Sequence, residues 1–468
     1  MPEKYHIATK PVPPRRPRIG KCGVVDWRED CARCHNCVKK ACVFDRYRQE
    51  TEYIRGLRDL DAIFFECMGC FSCVQECTKG LLALSANPAY ERLGNSYWTP
   101  EIIETTWTQA ETAKIPVSGA GYRGKFTGPG FDSMWTDMSE IVRPTRDGIH
   151  GREYISTAVD IGRKPPLLSF DGGKVNRALF PLVDIPMPMI IDMMPRQYHI
   201  PHLIPIFEAV AAKTGILMVL DSHDWGLISK DTEKFLPHIV FYLGASGPVP
   251  EKEVLQKTRM VEISDEGDID RRIKELKDIK PSIVVAVRVA LDSRGEERAI
   301  ELAQKSNIEA LHLVADMNGN QIGVENPAFI KDMVRRVHTS LVKKGTRDEI
   351  TFIAGGGIAL AEHLAKQMLC GADLVSIDLP LLISLECRLC QKCGGLSCPV
   401  KIEEIDINYG VGRMTNLIAA WHDQLIEVMG AMGIREARRL RGEVGRALFF
   451  EDLEEETFGR LFGKRKKS

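Results

Sequence analysis

The chain has 468 residues, 44% of them hydrophobic, enough for a large buried core and more than one domain. Its 63 basic and 64 acidic side chains nearly cancel, leaving a formal net charge of -1, so no global field recruits nucleic acid or an anionic membrane. No apolar run reaches the ~18 residues of a spanning helix and the first residues hold no apolar signal core, so a cytoplasmic protein without a membrane span is expected.

Residues 1–20, "MPEKYHIATKPVPPRRPRIG", read as a basic, Pro-rich arm. Residues 21–86 carry two cysteine runs. The first is Cys31, Cys34, Cys37 and Cys42; the second is Cys67, Cys70, Cys73 and Cys77, and their first three members repeat at an offset of 36 residues. A C-x2-C-x2-C run lets one short loop hold three corners of an iron–sulfur cubane, leaving the fourth to a more distant cysteine. In the bacterial two-cluster ferredoxin pattern that fourth cysteine serves the other cluster. By that rule Cys31, Cys34, Cys37 and Cys77 hold one 4Fe–4S cluster, and Cys67, Cys70, Cys73 and Cys42 the second. The first run ends with four intervening residues rather than three, and Thr78 stands where a proline usually follows. Zinc is the alternative occupant, but it favours paired CxxC knuckles over triple runs.

Residues 87–186 are rich in Gly, Pro and aromatics and read as an extended wrapping segment with little regular structure; Trp98, Trp107, Phe131, Trp135 and Tyr154 are too apolar to leave wet. Residues 187–430 change character. Eight short apolar runs alternate with amphipathic stretches: Met189–Asp192, Ile216–Leu220, Ile239–Leu243, Met260–Ile263, Ile283–Val287, Ala310–Val314, Ile350–Ala354 and Leu374–Ile377. Eight βα alternations predict an α/β fold, a closed (β/α)8 TIM barrel, with an open doubly wound sheet as the alternative. Gly355, Gly356 and Gly357 end the seventh strand, and Gly371 and Ala372 open the eighth. Loops of this kind bind phosphate through backbone N–H groups, and FMN is the expected phosphate ligand because it joins one-electron to two-electron chemistry. A third tetrad, Cys387, Cys390, Cys393 and Cys398, follows, and residues 431–468 read as a helical tail.

The segment "LECRLCQKCGGLSCPVKI" resembles the cluster element of the glutamate synthase FMN domain, with Cys387, Cys393 and Cys398 at the positions of its three ligands. The resemblance extends upstream through "TTWTQAETAKIPVSGAGYRG" and "GREYISTAVDIG" and downstream through "NLIAAWHDQLIEVMGAMGI". With the two-cluster, ferredoxin-like front segment, the layout looks like archaeal-type glutamate synthase-related proteins. It implies FMN on a TIM barrel and a third cluster. Cys390 is additional to the family's three ligands, so 4Fe–4S is expected here, with 3Fe–4S as the alternative.

The chain departs from the family on the substrate side. "IIDMMPR", "DSHDW", "VAVRVA" and "ADMNGNQIGVENP" stand where the family has other first-, second-, fifth- and sixth-strand sequences. These place Asp192, Asp221, His223, Asp224, Arg288, Asp316 and Asn318 at strand C-termini, the face where such barrels do chemistry. Arg288, Asp316 and Asp192 are the candidate catalytic residues. Met193, with its neighbour Met194, and Arg288 join the glycines as candidate flavin contacts. Four carboxylates and a single Arg288 make 2-oxoglutarate amination unexpected, and the opening Met1-Pro2-Glu3 offers no glutaminase nucleophile. The expected function is an iron–sulfur flavoprotein oxidoreductase in a larger redox complex; the alternative is an electron-relay subunit with no small-molecule turnover. No Rossmann unit is read, so the expected partners are other redox subunits or ferredoxin and a separate NAD(P)H-oxidising flavoprotein subunit.

Overall fold

The computed structural model describes residues 5–16, 19–24, 34, 36, 70–81, 84–115, 128–136, 155–164, 170–175, 181–228, 232–390, 398–442 and 447–463. Eight parallel strands close on themselves: β1 (Met189–Ile191), β2 (Met218–Asp221), β3 (Ile239–Leu243), β4 (Met260–Ser264), β5 (Val284–Ala290), β6 (Ala310–Val314), β7 (Thr351–Gly355) and β8 (Leu374–Ile377). Closure comes from β8 pairing with β1, Val375 opposite Met189 and Ile377 opposite Ile191. The open sheet is therefore excluded, and all eight strands fall on the apolar runs that the sequence marks. Strands buried on both faces by neighbours and outer helices read as near-continuous Val, Ile, Leu and Ala, as β5 and β7 do.

The N-terminal end of the barrel is stoppered by an antiparallel pair, Val159–Gly162 with Leu182–Ile185. The Thr351 hydroxyl, at the start of β7, donates to Gly162 O at 2.8 Å and accepts from Gly162 N at 3.1 Å, fixing the stopper to the wall.

The wrapping segment is more regular than its composition suggests. It contains helix α1 (Pro100–Thr112), with Pro100 at its first position and Ile102, Ile103, Thr106, Trp107 and Ala110 buried. That spacing is a helical stripe obscured by flanking Gly and Pro. Trp98 and Phe131 are fully buried, whereas Tyr154 lies outside the described residues. Helix α2 (Ile204–Thr214) follows β1, helix α3 (Ala361–Leu369) follows β7, and the short α4 (Leu379–Ser384) follows β8. The long helix α5 (Ile407–Ala431) lies across α1, α2 and α3. The tail adds helix α6 (Phe450–Phe462), packed after a strand Ala447–Phe449 that pairs with Met134–Thr136.

Arg413, on α5, is fully buried and holds three separate pieces of chain. It donates to Ser384 O at 2.5 Å, to Val12 O at 3.0 Å and to Trp107 O at 3.2 Å. Arg413→Met keeps the aliphatic stem but leaves these carbonyls without that donor. Hydrogen bonds from a charged donor contribute ~1.5–3 kcal/mol each, so a loss of about 3 kcal/mol or more is expected. Urea denaturation, with an unchanged slope and a lowered midpoint, is the measurement that checks it.

Candidate active site

The C-terminal mouth of the barrel is organised around one guanidinium. Arg288, on β5, makes a bidentate pair with Asp192 at 2.9 Å for each bond and a further bond of 2.7 Å to Glu262 on β4. His312, on β6, joins Nδ1 to Glu262 at 2.9 Å and Nε2 to Ser376 on β8 at 2.8 Å; the Ser376 hydroxyl also donates to Asp192 at 3.0 Å. Four strands and the residue that follows β1 thus contribute to one closed ring of polar side chains. Burial raises the Asp192 carboxyl, but Arg288 and His312 outweigh it and hold the group down to about 2. Burial likewise opposes the charge on Arg288, and Asp192 and Glu262 overcome it, keeping the guanidinium firmly protonated. Glu262 and His312 carry no motif. Their only signal in the sequence is a polar residue inside an otherwise apolar barrel strand.

Beside this ring opens a cavity of about 540 Å³ over β1, β2, β3 and β5. Ile204, Phe207, Met218 and Leu220 form its apolar wall, Met193 and Met194 line it next to Asp192, and Tyr242 and Arg288 close its inner end. Two imidazoles stand at its rim, each paired with a carboxylate: His199 Nε2 with Asp224 Oδ2 at 2.8 Å, and His223 Nδ1 with Asp221 Oδ1 at 2.8 Å. A carboxylate on one ring nitrogen orients the imidazole and leaves the other nitrogen free to exchange a proton. His199 carries no motif in the sequence: it lies after β1, just past a 3-10 turn at Arg196–Tyr198, and reaches the site only through the fold.

Asp316 is not brought to this cavity. Its Oδ1 accepts from Asn318 N at 2.8 Å and Asn320 N at 2.7 Å, so the carboxylate folds its own loop, and Asn318 belongs to the same turn.

The glycines divide. Gly356 (φ 93°) and Gly357 (φ 69°) lie in left-handed backbone at the C-terminal end of β7, and a Cβ on either would collide with the backbone of residues 315–319. Gly355 is close to Ser376, His312 and Asp192, so the loop adjoins the polar ring. The N–H groups of Gly356 and Gly357 have no acceptor among the described residues, which fits an anion cradle. Tyr97 donates its hydroxyl to Gly357 O, and the Trp98 indole donates to Met317 O at 3.0 Å, covering the loop from outside. Gly371 and Ala372 are a correction: they precede β8, at the opposite end of a parallel barrel from Gly357, and Gly371 O accepts from Arg347 at 2.5 Å. Asp378, directly after β8, occupies the side of the mouth expected of them. Its burial, and then the charge of Asp192, push it up to about 7.

Of the tetrad cysteines, Cys31, Cys37, Cys42, Cys67 and Cys393 lie outside the described residues. Two of the others accept a backbone N–H at sulfur. Leu81 N donates to Cys77 Sγ at 3.3 Å and Leu389 N to Cys387 Sγ at 3.4 Å. Phe71, after Cys70, and Glu386 and Leu389, flanking Cys387, adopt φ of 61°, 70° and 50°, a costly conformation for side-chain-bearing residues. Hydrogen bonds to sulfur are contacts that cluster ligands make, while among the described residues no three Cys, His, Asp or Glu side chains are grouped to hold a metal ion.

A family model for the conserved region in glutamate synthase matches residues 247–435. The archaeal-type glutamate synthase (NADPH) of Dehalococcoides mccartyi is 25% identical over 481 aligned residues, covering 90% of this chain and 93% of that one. The archaeal glutamate synthase (NADPH) of Archaeoglobus fulgidus is 23% identical, covering 93% of this chain and 96% of its own length. Among solved structures, a lactate oxidase of Pediococcus acidilactici superposes with a TM-score of 0.38 and 13% identity, over 73% of this chain and 92% of that one. No helix among the described residues is long and apolar enough to cross a membrane. A glutamate synthase match that covers β4 to β8 and relatives aligned along nearly the whole chain support a glutamate synthase-related protein.

Proposed function

We propose that the chain is a cytoplasmic iron–sulfur flavoprotein oxidoreductase that moves electrons among three 4Fe–4S clusters and FMN, as a subunit of a larger redox complex. The carrying observation is a flavin-sized cavity and a glycine cradle at one barrel mouth, in a chain with three cysteine tetrads. FMN would be held by Gly356 and Gly357 at its phosphate and by Met193 and Met194 beside its ring. When bound, it supplies exchange of electron pairs with a substrate and of single electrons with the clusters. His199 and His223, each with its carboxylate, are placed to hold or move a proton at the cavity rim.

Arg288 is committed elsewhere. A guanidinium whose two terminal nitrogens are engaged by Asp192 and Glu262 is not free to make a bidentate clamp on a substrate carboxylate with those nitrogens, and withdrawing it would strand two buried charges. The same observation favours a second reading, an electron relay whose barrel turns over no small molecule. Ferredoxin or another redox subunit, and a separate NAD(P)H-oxidising flavoprotein, are the partners proposed as electron sources.

Three outcomes are expected. Anaerobically purified protein should hold about four iron atoms per tetrad and one FMN, by elemental and flavin analysis; zinc in place of iron would sink the cluster reading. With reduced ferredoxin supplied, the flavin should bleach while no glutamate forms from 2-oxoglutarate and ammonia. Appreciable glutamate would show that Arg288 is released for substrate after all. Finally, FMN should be retained more weakly above pH 7 than below it, because Asp378 ionises beside the phosphate cradle with a value near 7. Raised above the ordinary carboxyl range, Asp378 is neutral on the acid side and repels a phosphate only on the alkaline side. Asp378→Asn should flatten that dependence in equilibrium dialysis, and a dependence unchanged in this variant would remove Asp378 from the phosphate site.

A further inference from the structure

We propose that the N-terminal arm forms the outer wall of the third cysteine tetrad and that its arginines set the charge around the cluster held there. The idea rests on the cluster reading above, but its evidence is separate. Arg15 Nη2 donates to Val400 O at 2.8 Å, two residues beyond Cys398, and Arg15 Nε lies 3.4 Å from Glu386 Oε2, one residue before Cys387. Arg16 N donates to the other Glu386 oxygen at 3.3 Å. The arm therefore bridges both ends of the tetrad loop at once. It is itself anchored, because Val12 N donates to Glu111 O at 2.9 Å, Arg413 donates to Val12 O and Asn416 donates to Lys10 O at 2.8 Å.

Glu386 is buried and holds φ of 70°, a conformation that must be maintained by contacts rather than by local preference. The arm supplies those contacts. Inside the loop, the half-buried Arg388 stands within electrostatic reach of Cys390, Cys398, Arg16 and Glu386. Arg15, Arg16 and Arg388 against the single Glu386 give a net positive shell around sulfur ligands that are anionic when they bind iron. Positive charge beside a cluster stabilises its reduced form, so this shell raises the potential of the third cluster. A small, partly open cleft of about 20 Å³, room for one water, lies between Pro14, Arg16, Trp107, Glu386 and Arg388, so the arm packs closely against this side of the loop.

The test uses the full-length holoprotein, purified anaerobically, with Arg15→Gln, Glu386→Gln and a deletion of residues 1–16. EPR-monitored redox titration reads the third cluster, and iron analysis reads its occupancy. Arg15→Gln should lower the midpoint potential and Glu386→Gln should raise it; a purely structural role would not give shifts of opposite sign. The deletion should lose about a third of the iron, leaving the signals of the other two clusters. Unchanged potentials in both point variants, or full iron after the deletion, would overturn the proposal. A metal-independent readout separates it from the cluster reading: in iron-free protein, Cys387 should be alkylated faster after the deletion than before. Faster alkylation in a chain that never binds a third cluster would retire the cluster and keep the wall, whereas an unchanged rate would retire the wall.

Discussion

Everything at the barrel mouth follows from the need to neutralise one buried guanidinium. Arg288 cannot sit inside a closed apolar barrel alone, and the desolvation of a lone charge there exceeds what any single partner returns. Asp192, just after β1, and Glu262, on β4, answer it, His312 bridges to Glu262, and Ser376 returns the chain of bonds to Asp192. That ring determines the character of the site. It borders a cavity with an apolar wall, it holds a negative charge beside Asp378, and it engages the Arg288 guanidinium that lines that cavity.

Much of this architecture is legible in the order of residues, and the reason is the barrel itself. Strands covered on both faces must be apolar throughout, so eight uninterrupted runs mark eight strands with little ambiguity. The helix Pro100–Thr112 escaped because its apolar stripe is embedded between Gly- and Pro-rich stretches that dominate a compositional reading. Gly371 and Ala372 were misplaced for a different reason. Adjacency to a strand says nothing about which end of the barrel a residue reaches, and these two precede their strand where Gly355 to Gly357 follow theirs.

The polar ring was half visible. Asp192 and Arg288 stand at or near strand ends, where charge invites notice, whereas Glu262 and His312 are single polar residues inside apolar strands whose purpose appears only when the strands meet around a common axis. Asp316 looked like a reacting group by position, yet a short polar side chain followed by Asn and Gly folds its own turn as readily as it faces a ligand. The cysteine runs are legible for another reason: the spacing of ligands along one short loop is local and needs no tertiary information to be read.

One stretch of five residues links parts of the molecule that are distant in sequence. Gly94 N bonds Arg388 O within the third cysteine run, Tyr97 bonds the glycine loop after β7, and Trp98 bonds the loop after β6. The stretch begins only seventeen positions after Cys77. A recombination that exchanged the leading cysteine runs would have to place its junction between Cys77 and Gly94, since a crossover any later would carry away the cover over the barrel's loops.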